Sequence, residues 1–462
     1  MDHRQGAEAG GVSPLWREQM SSGTKIAYWD EKVETLSREE LLALQWKRLK
    51  DFLRYISERS PFYRKKLSAF QKDVDSIRDM DAFKKLLPMT TKDEIRAERE
   101  RARDPYGGLL CVPPEEVVYL CRTGGTTGAP SIYGLTRRDV DLLGSLTARC
   151  WYQIGARREH TVGCATMGGW NNFSKALLEG LRVTGINTYH FSMPVPGEEV
   201  FPIEVLPQWM DIHGFYLSPR PLLQITEKYG ERLKSLLPKL QYILVAGQRM
   251  TRSFRNGIES LWGGSLHEAY PMTDVGLPTT TCSEQRETFH IPEDAFLVEV
   301  VDPDTGKDLT GTGRVGELVV TPLLSEGTPL LRFRTEDIGF TVTETCPCGR
   351  TGMRIGLSER VAHSVSVGKR VIFTNDVEEV LYGFREFLFL PYQLIKRRQQ
   401  PQEKLLVRVQ HPSTAGSESQ LKETLIIRLQ ETLGIETEVE FMSKEDEKLV
   451  TMYKFLKMVT ES

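Results

Sequence analysis

Apolar side chains recur at helical spacing close to the start of the chain. Ser37 followed by Glu40 has the spacing of a capping box, which predicts that a helix begins there. The dipeptide Ser60-Pro61 predicts where that helix ends. A second helix is predicted to begin near Thr91, with Glu94 three residues on. The apolar face predicted for the first helix consists of Leu42, Trp46, Leu49, Phe52, Leu53 and Ile56.

Short apolar runs then alternate with helical stretches from residue 117 to about residue 356. Alternating strands and helices are typical of a layered α/β domain, so the sequence predicts an α/β fold for this part of the chain. The clearest strands are predicted at 117–120, 162–165, 242–246, 296–301 and 317–321.

The last part of the chain has a pattern of its own. Residues 404–410 and 439–441 alternate as strands do, and leucines four residues apart, from Leu421 to Leu433, predict a helix between them. We therefore expect a small C-terminal α+β domain at 357–462, a large layered core domain at 26–356 and a flexible N-terminus at 1–25.

The composition narrows the class of protein. The chain has 462 residues, of which 40% are hydrophobic and 27% charged, and a formal net charge of −3, as soluble globular proteins have. That balance predicts neither nucleic acid nor a membrane as a partner, and no apolar run approaches the roughly 20 residues of a membrane span. Seven cysteines are an odd number, which argues against a disulfide framework. With no apolar signal core in residues 1–11, we expect a cytoplasmic protein whose oligomeric state stays open.

A loop rich in glycine and threonine follows the predicted strand at 117–120. Glycine lets the backbone lie close against a ligand, successive N–H groups can form a concave anion site, and threonine hydroxyls add donors. The loop predicts a polyphosphate site, although it lacks the Gly-Lys-Ser/Thr ending of the Walker pattern. A tight surface turn is the alternative that the loop alone leaves open. Its residues are Thr123, Gly124, Gly125, Thr126, Thr127 and Gly128.

Three later segments fit the same chemistry. Ala246-Gly247 ends a strand in small residues, which would let a flat ring approach the backbone. In the segment 270–274, a tyrosine can stack on a purine, while a hydroxyl and a carboxylate can meet phosphate and Mg²⁺. Asp337 can accept hydrogen bonds from both hydroxyls of a ribose. Each segment alone is also compatible with a surface loop, and only their joint order favours a nucleotide site.

Over most of its length the chain resembles the adenylate-forming superfamily and, within it, the phenylacetate–CoA ligase family. No single matching segment is specific, but the combination is. The segments that carry the resemblance are 60–64, 87–92, 123–139, 290–303 and 346–351.

The resemblance implies an α/β fold of the adenylate-forming type with a mobile C-terminal domain, and a reaction in two steps. A carboxylate first attacks the α-phosphate of ATP, pyrophosphate leaves, and a thiol, usually that of CoA, then captures the acyl adenylate. Charge neutralisation by Mg²⁺ and one lysine suits such phosphoryl chemistry.

The roles that the resemblance implies are assigned by position. Residues 123–128 would hold the β- and γ-phosphates, and Ala246, Gly247 and Tyr270 would border adenine. Thr273 would contact the α-phosphate, Asp274 would hold Mg²⁺, and Asp337 would bind the ribose beside Arg360. Lys454 best matches the catalytic lysine, and Gly368 matches a loop that faces the thiol tunnel.

The residues of the acid pocket are the least determined. Aromatic and amide side chains in two segments predict a flat or apolar acid, for which an aryl or arylacetic acid is our hypothesis. The alternative is that the aromatic side chains are ordinary core residues. These candidates are Trp170, Asn171, Phe173 and Tyr216.

Cysteine and histidine spacing indicates a separate metal site. Cys282 and His290 are followed by the pair Cys346 and Cys348, and three thiolates with one imidazole form the set of a closed structural zinc site. Some members of the resembled family carry cysteines at these positions. The alternative is four residues that only pack or stay solvated.

Several positions depart from the family pattern. Asp274 stands where a glutamate is usual, Glu336 replaces a glycine, and Ala362 replaces the hinge aspartate. The usual glycine before Lys454 is also missing. Three hypotheses therefore stay open: a ligase that forms an acyl-CoA, an adenylating enzyme that passes the acyl group to a carrier-protein thiol or an amine, and a catalytically altered nucleotide-binding relative.

Overall fold

Helices form the N-terminal layer of the protein. The computed structural model describes residues 28–69, 77–122, 131–165, 172–191, 203–204, 206–358, 364–398, 401–412, 418–443 and 457–461. The residues predicted to form a flexible N-terminus, 1–25, lie outside these ranges. The helices of the first layer are α1 (Glu31–Glu34), α2 (Arg38–Arg59), α3 (Pro61–Ala69), α4 (Met80–Leu86) and α5 (Lys92–Ala102).

Helix α2 confirms the predicted start and corrects the predicted face. Ser37 and Glu40 form the capping box, and the helix ends at Arg59 as expected. Leu42, however, is 42% exposed, whereas Leu41 and Gln45 are buried. The Gln45 side chain donates 3.0 Å hydrogen bonds to the carbonyls of Glu293 and Phe296. A polar residue therefore occupies a core-facing position that the spacing of apolar residues did not predict.

Strands β1 (Val117–Arg122) and β2 (Ile132–Thr136) form an antiparallel hairpin that leads into α6 (Arg137–Gln153). The predicted phosphate loop, residues 123–128, connects these strands and lies outside the described residues. Thr136 and Asp139 form a capping box at the start of α6. The hairpin therefore fixes the two ends of the loop against a firmly capped helix.

A six-stranded sheet forms the centre of the α/β part. Its strand order is β4-β3-β5-β6-β7-β8, and only β8 runs antiparallel to its neighbour. Alternate residues of β6 face opposite sides: Ile243 and Val245 belong to one apolar cluster and Leu244 to another. The strands and intervening helices are β3 (Thr161–Ala165), α7 (Asn172–Thr184), β4 (Asn187–Phe191), β5 (Gly214–Leu217), α8 (Pro219–Tyr229), α9 (Leu233–Leu236), β6 (Tyr242–Ala246), α10 (Arg252–Trp262), β7 (Ser265–Met272) and β8 (Leu277–Thr280).

The order of these strands determines where a ligand can bind. The chain passes from β3 outward to β4, then crosses back to β5 and continues to the other side, so the order reverses between β3 and β5. Open α/β sheets bind ligands beyond the carboxyl ends of their strands at such a reversal. The carboxyl ends of the parallel strands β3, β5, β6 and β7 lie along this edge.

A five-stranded antiparallel sheet packs with the N-terminal helices around a second apolar core. Its strand order is β10-β11-β12-β13-β9. The strands are β9 (Phe289–His290), β10 (Phe296–Val301), β11 (Gly316–Pro322), β12 (Phe333–Val342) and β13 (Arg354–Leu357).

The described residues of the C-terminal part form a hairpin, two α-helices and a four-stranded mixed sheet of order β18-β17-β16-β19. Its apolar residues belong to one cluster that also contains residues of α8, α9 and α10. The domain boundary predicted at 356/357 stays a prediction. Among the described helices, none has both the length and the apolar character that crossing a membrane requires. The elements are β14 (Ser364–Val367), β15 (Arg370–Phe373), α11 (Thr374–Leu381), β16 (Tyr392–Arg397), β17 (Leu405–Gln410), α12 (Glu418–Leu433), β18 (Thr437–Met442) and β19 (Met458–Glu461).

Candidate active site and metal centre

The carboxyl edge of the six-stranded sheet carries the predicted adenine-side and phosphate-side residues. Ala246 is the last residue of β6 and pairs with Ala269 of β7. Gly247 follows at φ +102°, a backbone angle that L side chains rarely adopt, and the space beside its Cα is open. Thr273 and Asp274 directly follow the end of β7. Positions far apart in sequence therefore meet along one short stretch of the sheet edge.

Tyr270 and Asp337 are in direct contact. The Tyr270 hydroxyl donates a hydrogen bond to a carboxylate oxygen of Asp337 across 2.6 Å, the length of a charge-assisted bond. The backbone N–H of Asp337 donates to Thr335 Oγ1 at 3.1 Å, which holds the turn that carries the carboxylate. A flat ring and a fixed carboxylate thus lie side by side, an arrangement suited to a nucleoside.

Asp274 lies in a half-buried position against the β1–β2 hairpin. The hydroxyl of the buried Tyr133 donates to Asp274 Oδ1 at 2.8 Å. Burial raises the pKa of Asp274 above its usual value, whereas the positive charge of Lys92 and the Tyr133 bond oppose that rise. The hydroxyl aims the carboxylate and favours its charged form, which is the form that binds a divalent cation.

Glu336 occupies the position where the family usually has glycine, and the backbone there keeps a glycine-like angle of φ +64°. Its N–H donates to a carboxylate oxygen of Glu317 at 3.0 Å, which anchors the turn. The side chain points outward and lies 3.6 Å from the ammonium of Lys92. The extra negative charge therefore has a cation beside it, and the neighbouring Asp337 keeps its contact with Tyr270.

Glu268 is a buried anchor beneath the sheet edge that the sequence did not identify. Its carboxylate accepts hydrogen bonds from the Met250 N–H at 3.1 Å, from Arg249 at 3.2 Å and from Arg255 at 3.1 Å. Burial raises its pKa, and the two guanidinium groups oppose that rise. These bonds hold the loop that follows Gly247. A glutamate inside a strand was the only signal in the sequence.

Arg249 and Phe289 extend the support to the ring of Tyr270. The Arg249 guanidinium lies 5.2 Å from the centre of the Phe289 ring, and that ring lies 6.0 Å from the ring of Tyr270. The candidate adenine side is thus backed by a packed layer rather than by solvent.

The remaining predicted residues are only partly described. Tyr216 is buried in β5, next to the last residue of the strand, with 6% of its surface exposed. Gly368 lies in the turn between β14 and β15, at φ +55°. The other assignments lie outside the described residues: the phosphate loop 123–128, Trp170, Asn171, the side chain of Phe173, Arg360 and Lys454.

The predicted metal ligands form one cluster. One ligand atom from each of Cys282, His290, Cys346 and Cys348 lies within 4.8 Å of all the others. The sulfur atoms of Cys282 and Cys346 are 3.7 Å apart, and Cys348 Sγ lies 3.5 Å from His290 Nε2. Tetrahedral zinc, with Zn–S of about 2.3 Å and Zn–N of about 2.0 Å, separates two sulfurs by about 3.8 Å and a sulfur and a nitrogen by about 3.5 Å. The spacing of the side chains fits such an ion.

The thiols of this cluster compete for protons. Hydrogen bonds from Cys282 and His290 lower the pKa of Cys348, whereas a hydrogen bond with Cys348 and burial raise the pKa of Cys282. Three thiols packed this closely cannot all ionise without a nearby positive charge, and a divalent cation supplies that charge.

The loop that carries Cys346 and Cys348 also holds the start of the described chain. Tyr28 donates a 3.0 Å hydrogen bond to the carbonyl of Cys348. Arg350 forms a buried ion pair with Glu34 at 2.6 Å. The metal-ligand loop and the segment around α1 are therefore packed as one unit. The other cysteines, Cys111, Cys121, Cys150 and Cys164, are buried core residues as predicted.

Comparisons with known proteins agree with this architecture, although no family model matches the chain. Phenylacetate-coenzyme A ligase from Thermus thermophilus is 32% identical over 378 residues, which cover 80% of this chain and 81% of that protein. The enzyme of the same name from Escherichia coli is 28% identical over 430 residues, or 91% of this chain and 94% of that protein.

Among solved structures, 2-hydroxyisobutyryl-CoA ligase in the postadenylation state superposes with a TM-score of 0.83 at 20% identity, covering 96% of this chain and 93% of that chain. The same ligase in the thioesterification state gives a TM-score of 0.67 at 21% identity, covering 95% and 94%. The overall fold, with its large α/β part and smaller C-terminal part, is that of an adenylate-forming CoA ligase.

Proposed function

The chain belongs to the phenylacetate–CoA ligase family, and from that premise we propose how its residues activate a carboxylic acid. The protein is an acid–thiol ligase that uses ATP to form an acyl adenylate and then transfers the acyl group to CoA. A carboxylate is a poor acyl donor because its leaving group would be an oxide ion. AMP is a far better leaving group. The ATP site therefore serves to convert the carboxylate into an acyl adenylate.

Each step exchanges one bond for another. A carboxylate oxygen forms a bond to the α-phosphorus of ATP while the bond from that phosphorus to the β-phosphate oxygen breaks and pyrophosphate leaves. The thiolate of CoA then attacks the carbonyl carbon, and AMP leaves with the bond electrons. Both transition states gather negative charge on phosphate oxygens, so fixed donors and cations at the site lower the barrier.

The contact between Tyr270 and Asp337 carries the assignment of the nucleotide site. We infer that the Tyr270 ring packs against adenine, that Asp337 accepts from the ribose hydroxyls, and that Thr273 donates to the α-phosphate. Asp274 lies one residue further along and would hold Mg²⁺, which neutralises charge on the phosphates. The arrangement of these four at one sheet edge, with Gly247 open beside them, supports the proposal.

The groups that complete the site are assigned from the family resemblance. We propose that residues 123–128 bind the β- and γ-phosphates, that Arg360 lies near the ribose, and that the ammonium of Lys454 bridges the carboxylate and the α-phosphate. The hairpin β1–β2 supports the first of these, since it brings the ends of the loop to the hydroxyl of Tyr133 and hence to Asp274.

We propose an aryl or arylacetic acid as the substrate. The relatives named above are phenylacetate-coenzyme A ligases, and Tyr216 presents an aromatic ring near the carboxyl end of β5. A ligase of this kind works where ATP and CoA are supplied, and we propose the cytoplasm.

We propose that Cys282, His290, Cys346 and Cys348 bind a structural zinc ion. The 3.7 Å and 3.5 Å separations among their ligand atoms match a tetrahedral ion, and four protein ligands leave no open position for chemistry. The ion would hold the 346–350 loop against Glu34 and Tyr28, which gives it a role in folding.

Product analysis over a panel of carboxylic acids tests the function. The purified protein is incubated with ATP, Mg²⁺, CoA and each acid, and AMP, pyrophosphate and acyl-CoA are quantified. We expect all three products in equal amounts, with phenylacetate or another aromatic acid as the best substrate.

Two controls separate the alternatives. Hydroxylamine traps an acyl adenylate when CoA is omitted, so a trapped hydroxamate without any acyl-CoA in the complete reaction would favour a carrier-protein or amine acceptor. Lys454→Ala should lose activity by orders of magnitude, and Lys454→Arg should restore little, because the role needs a point charge rather than a fork. ATP consumption that does not depend on any acid would overturn the proposal.

A further inference from the structure

We propose that Glu378 and Glu379, adjacent residues of α11, are positioning residues that hold the C-terminal part against α10 for the first half-reaction. Together with Thr251 and Ser253 at the start of α10, they form a set of contacts that we call the latch. The inference rests on the proposed function, since its consequence is a difference between the two half-reactions.

Glu379 caps a helix from another part of the chain. Its carboxylate accepts from the Ser253 N–H at 3.0 Å and from the Ser253 hydroxyl at 3.1 Å. The first N–H groups of a helix lack partners within the helix, and a negative charge beside them is favourable. Because Glu379 lies 126 residues further along the chain, this cap exists only while α11 is docked on α10.

Glu378 joins three elements through one buried carboxylate. It is 1% exposed and accepts from the Thr251 hydroxyl at 3.2 Å and from the Tyr392 hydroxyl at 3.0 Å, and it forms an ion pair with the ammonium of Lys457. Of these partners only Thr251 lies beside α10, and separating the two parts would leave the buried carboxylate one hydrogen bond short, so this contact resists separation.

These contacts connect the two ends of the candidate active site. Thr251 lies four residues after Gly247, on the loop that Glu268 anchors. Lys457 lies three residues after Lys454, the proposed catalytic lysine, and its carbonyl accepts from the Leu394 N–H at 2.9 Å. Glu378 therefore contacts both the end of the loop proposed to border adenine and Lys457, which follows the segment that contains the proposed catalytic lysine.

Apolar packing around the latch is close and specific. The ring of Phe254 lies 5.1 Å from the ring of Phe389 and 5.9 Å from that of Tyr382. A Cβ atom at Gly257 would lie 2.7 Å from the Leu388 side chain, so a larger residue there would require that side chain to shift. Phe389 adopts φ +67°, which a bulky residue accepts only where its surroundings hold it.

The latch should favour one half-reaction over the other, because its contacts belong to one arrangement of the large α/β part and the C-terminal part. The chain superposes more closely on 2-hydroxyisobutyryl-CoA ligase in the postadenylation state than on the same ligase in the thioesterification state. An interaction present in one of two states favours that state by its own free energy. The latch therefore favours the first half-reaction and opposes any rearrangement that the second requires.

Two variants test the latch against a matched control. Glu379→Ala removes both hydrogen bonds that join α11 to Ser253 and leaves the N-cap Thr251 in place, whereas Ser253→Ala removes only the one from the Ser253 hydroxyl. Ser260→Ala is the control, because it makes the same change on the same helix and, among the described residues, its hydroxyl bonds only to the Gly257 carbonyl. Acid-dependent exchange of labelled pyrophosphate into ATP measures the first half-reaction, and thioester formation from a supplied acyl adenylate and CoA measures the second.

We expect Glu379→Ala to lower exchange by about tenfold to a hundredfold, the range for a hydrogen bond to a charged group, with Ser253→Ala lowering it less. Thioester formation should stay equal or rise, and Ser260→Ala should match the wild type in both assays. Hydrogen exchange at the amide of Ser253 should speed up in Glu379→Ala and not in Ser260→Ala.

Equal losses in both half-reactions would assign the contact between Glu379 and Ser253 a purely structural role and overturn the latch. Unchanged exchange in both Glu379→Ala and Ser253→Ala would also overturn it. If the wild type itself showed no acid-dependent exchange, the proposed function would fail, and amide protection at Ser253 would still decide whether Glu379 caps α10.

Discussion

Removing the hydroxyl of Tyr270 is the sharpest single perturbation of the candidate nucleotide site. Tyr270→Phe keeps the ring that would face adenine and deletes only the donor that holds Asp337 at 2.6 Å. A hydrogen bond to a charged group contributes about 1.5–3 kcal/mol, and the lower end applies because water can reach the half-buried Asp337 in the variant.

That loss corresponds to about a tenfold lower affinity for the ribose of ATP, since about 1.4 kcal/mol is a factor of ten in affinity. We expect KM for ATP to rise about tenfold while kcat and the KM values for the acid and CoA change little, because the lost contact acts on the ground state and the transition state alike. Steady-state kinetics with each substrate varied in turn measures this split.

Tyr55→Phe is the matched control. Its hydroxyl donates at 2.9 Å to the carbonyl of Glu326, so the same atom is removed from a bonded tyrosine that has no proposed contact with nucleotide. An unchanged KM for ATP in Tyr270→Phe, or an equal change in Tyr55→Phe, would refute the assigned role of the Tyr270–Asp337 pair.

Three further predictions concern acid sensitivity and the metal. Tyr133→Phe removes a bond that lowers the pKa of Asp274, so the acidic limb of the kcat/KM profile should move to higher pH, and an unmoved limb would contradict the role of that bond. Metal analysis should find one equivalent of zinc in the wild type and in Cys111→Ser but less than half in Cys346→Ser, with a lower Tm after chelation. Equal zinc in all three would exclude the cluster as the site. Burial lowers the pKa of His160 below its usual 6.5. The neutral side chain should therefore make its full contribution to the free energy of unfolding above pH 6.5, and that contribution should be lost as the pH falls through the lowered pKa. Urea titrations at pH 7 and pH 5 should show a smaller difference in His160→Gln than in the wild type.

Local signals in the sequence predicted local structure well. The capping box of Ser37 and Glu40 marks the start of α2, and Thr91 with Glu94 marks that of α5, because both depend only on residues three positions apart. Helices α3 and α4 were not predicted. Pro61 was interpreted only as a stop, whereas it occupies the first position of α3, where a proline loses no helical hydrogen bond.

The long-range features could not be predicted from spacing. The burial of Gln45 in place of Leu42 reflects hydrogen bonds from Gln45 to two carbonyls that lie 248 and 251 residues away. Glu268 and the two glutamates of the latch carry no motif, because their partners lie on other elements and only the fold brings them together. The four residues of the candidate metal cluster could be selected from the sequence because cysteine and histidine are themselves a chemical signal.

Oxygen transfer from substrate to AMP tests the central claim most directly. A carboxylic acid labelled with ¹⁸O in its carboxyl group is turned over with ATP, Mg²⁺ and CoA, and the AMP is examined by mass spectrometry. Attack by the carboxylate on the α-phosphorus predicts that each AMP molecule carries one ¹⁸O atom, with unlabelled pyrophosphate formed in equal amount. ADP as the nucleotide product, or AMP without the label, would contradict the account.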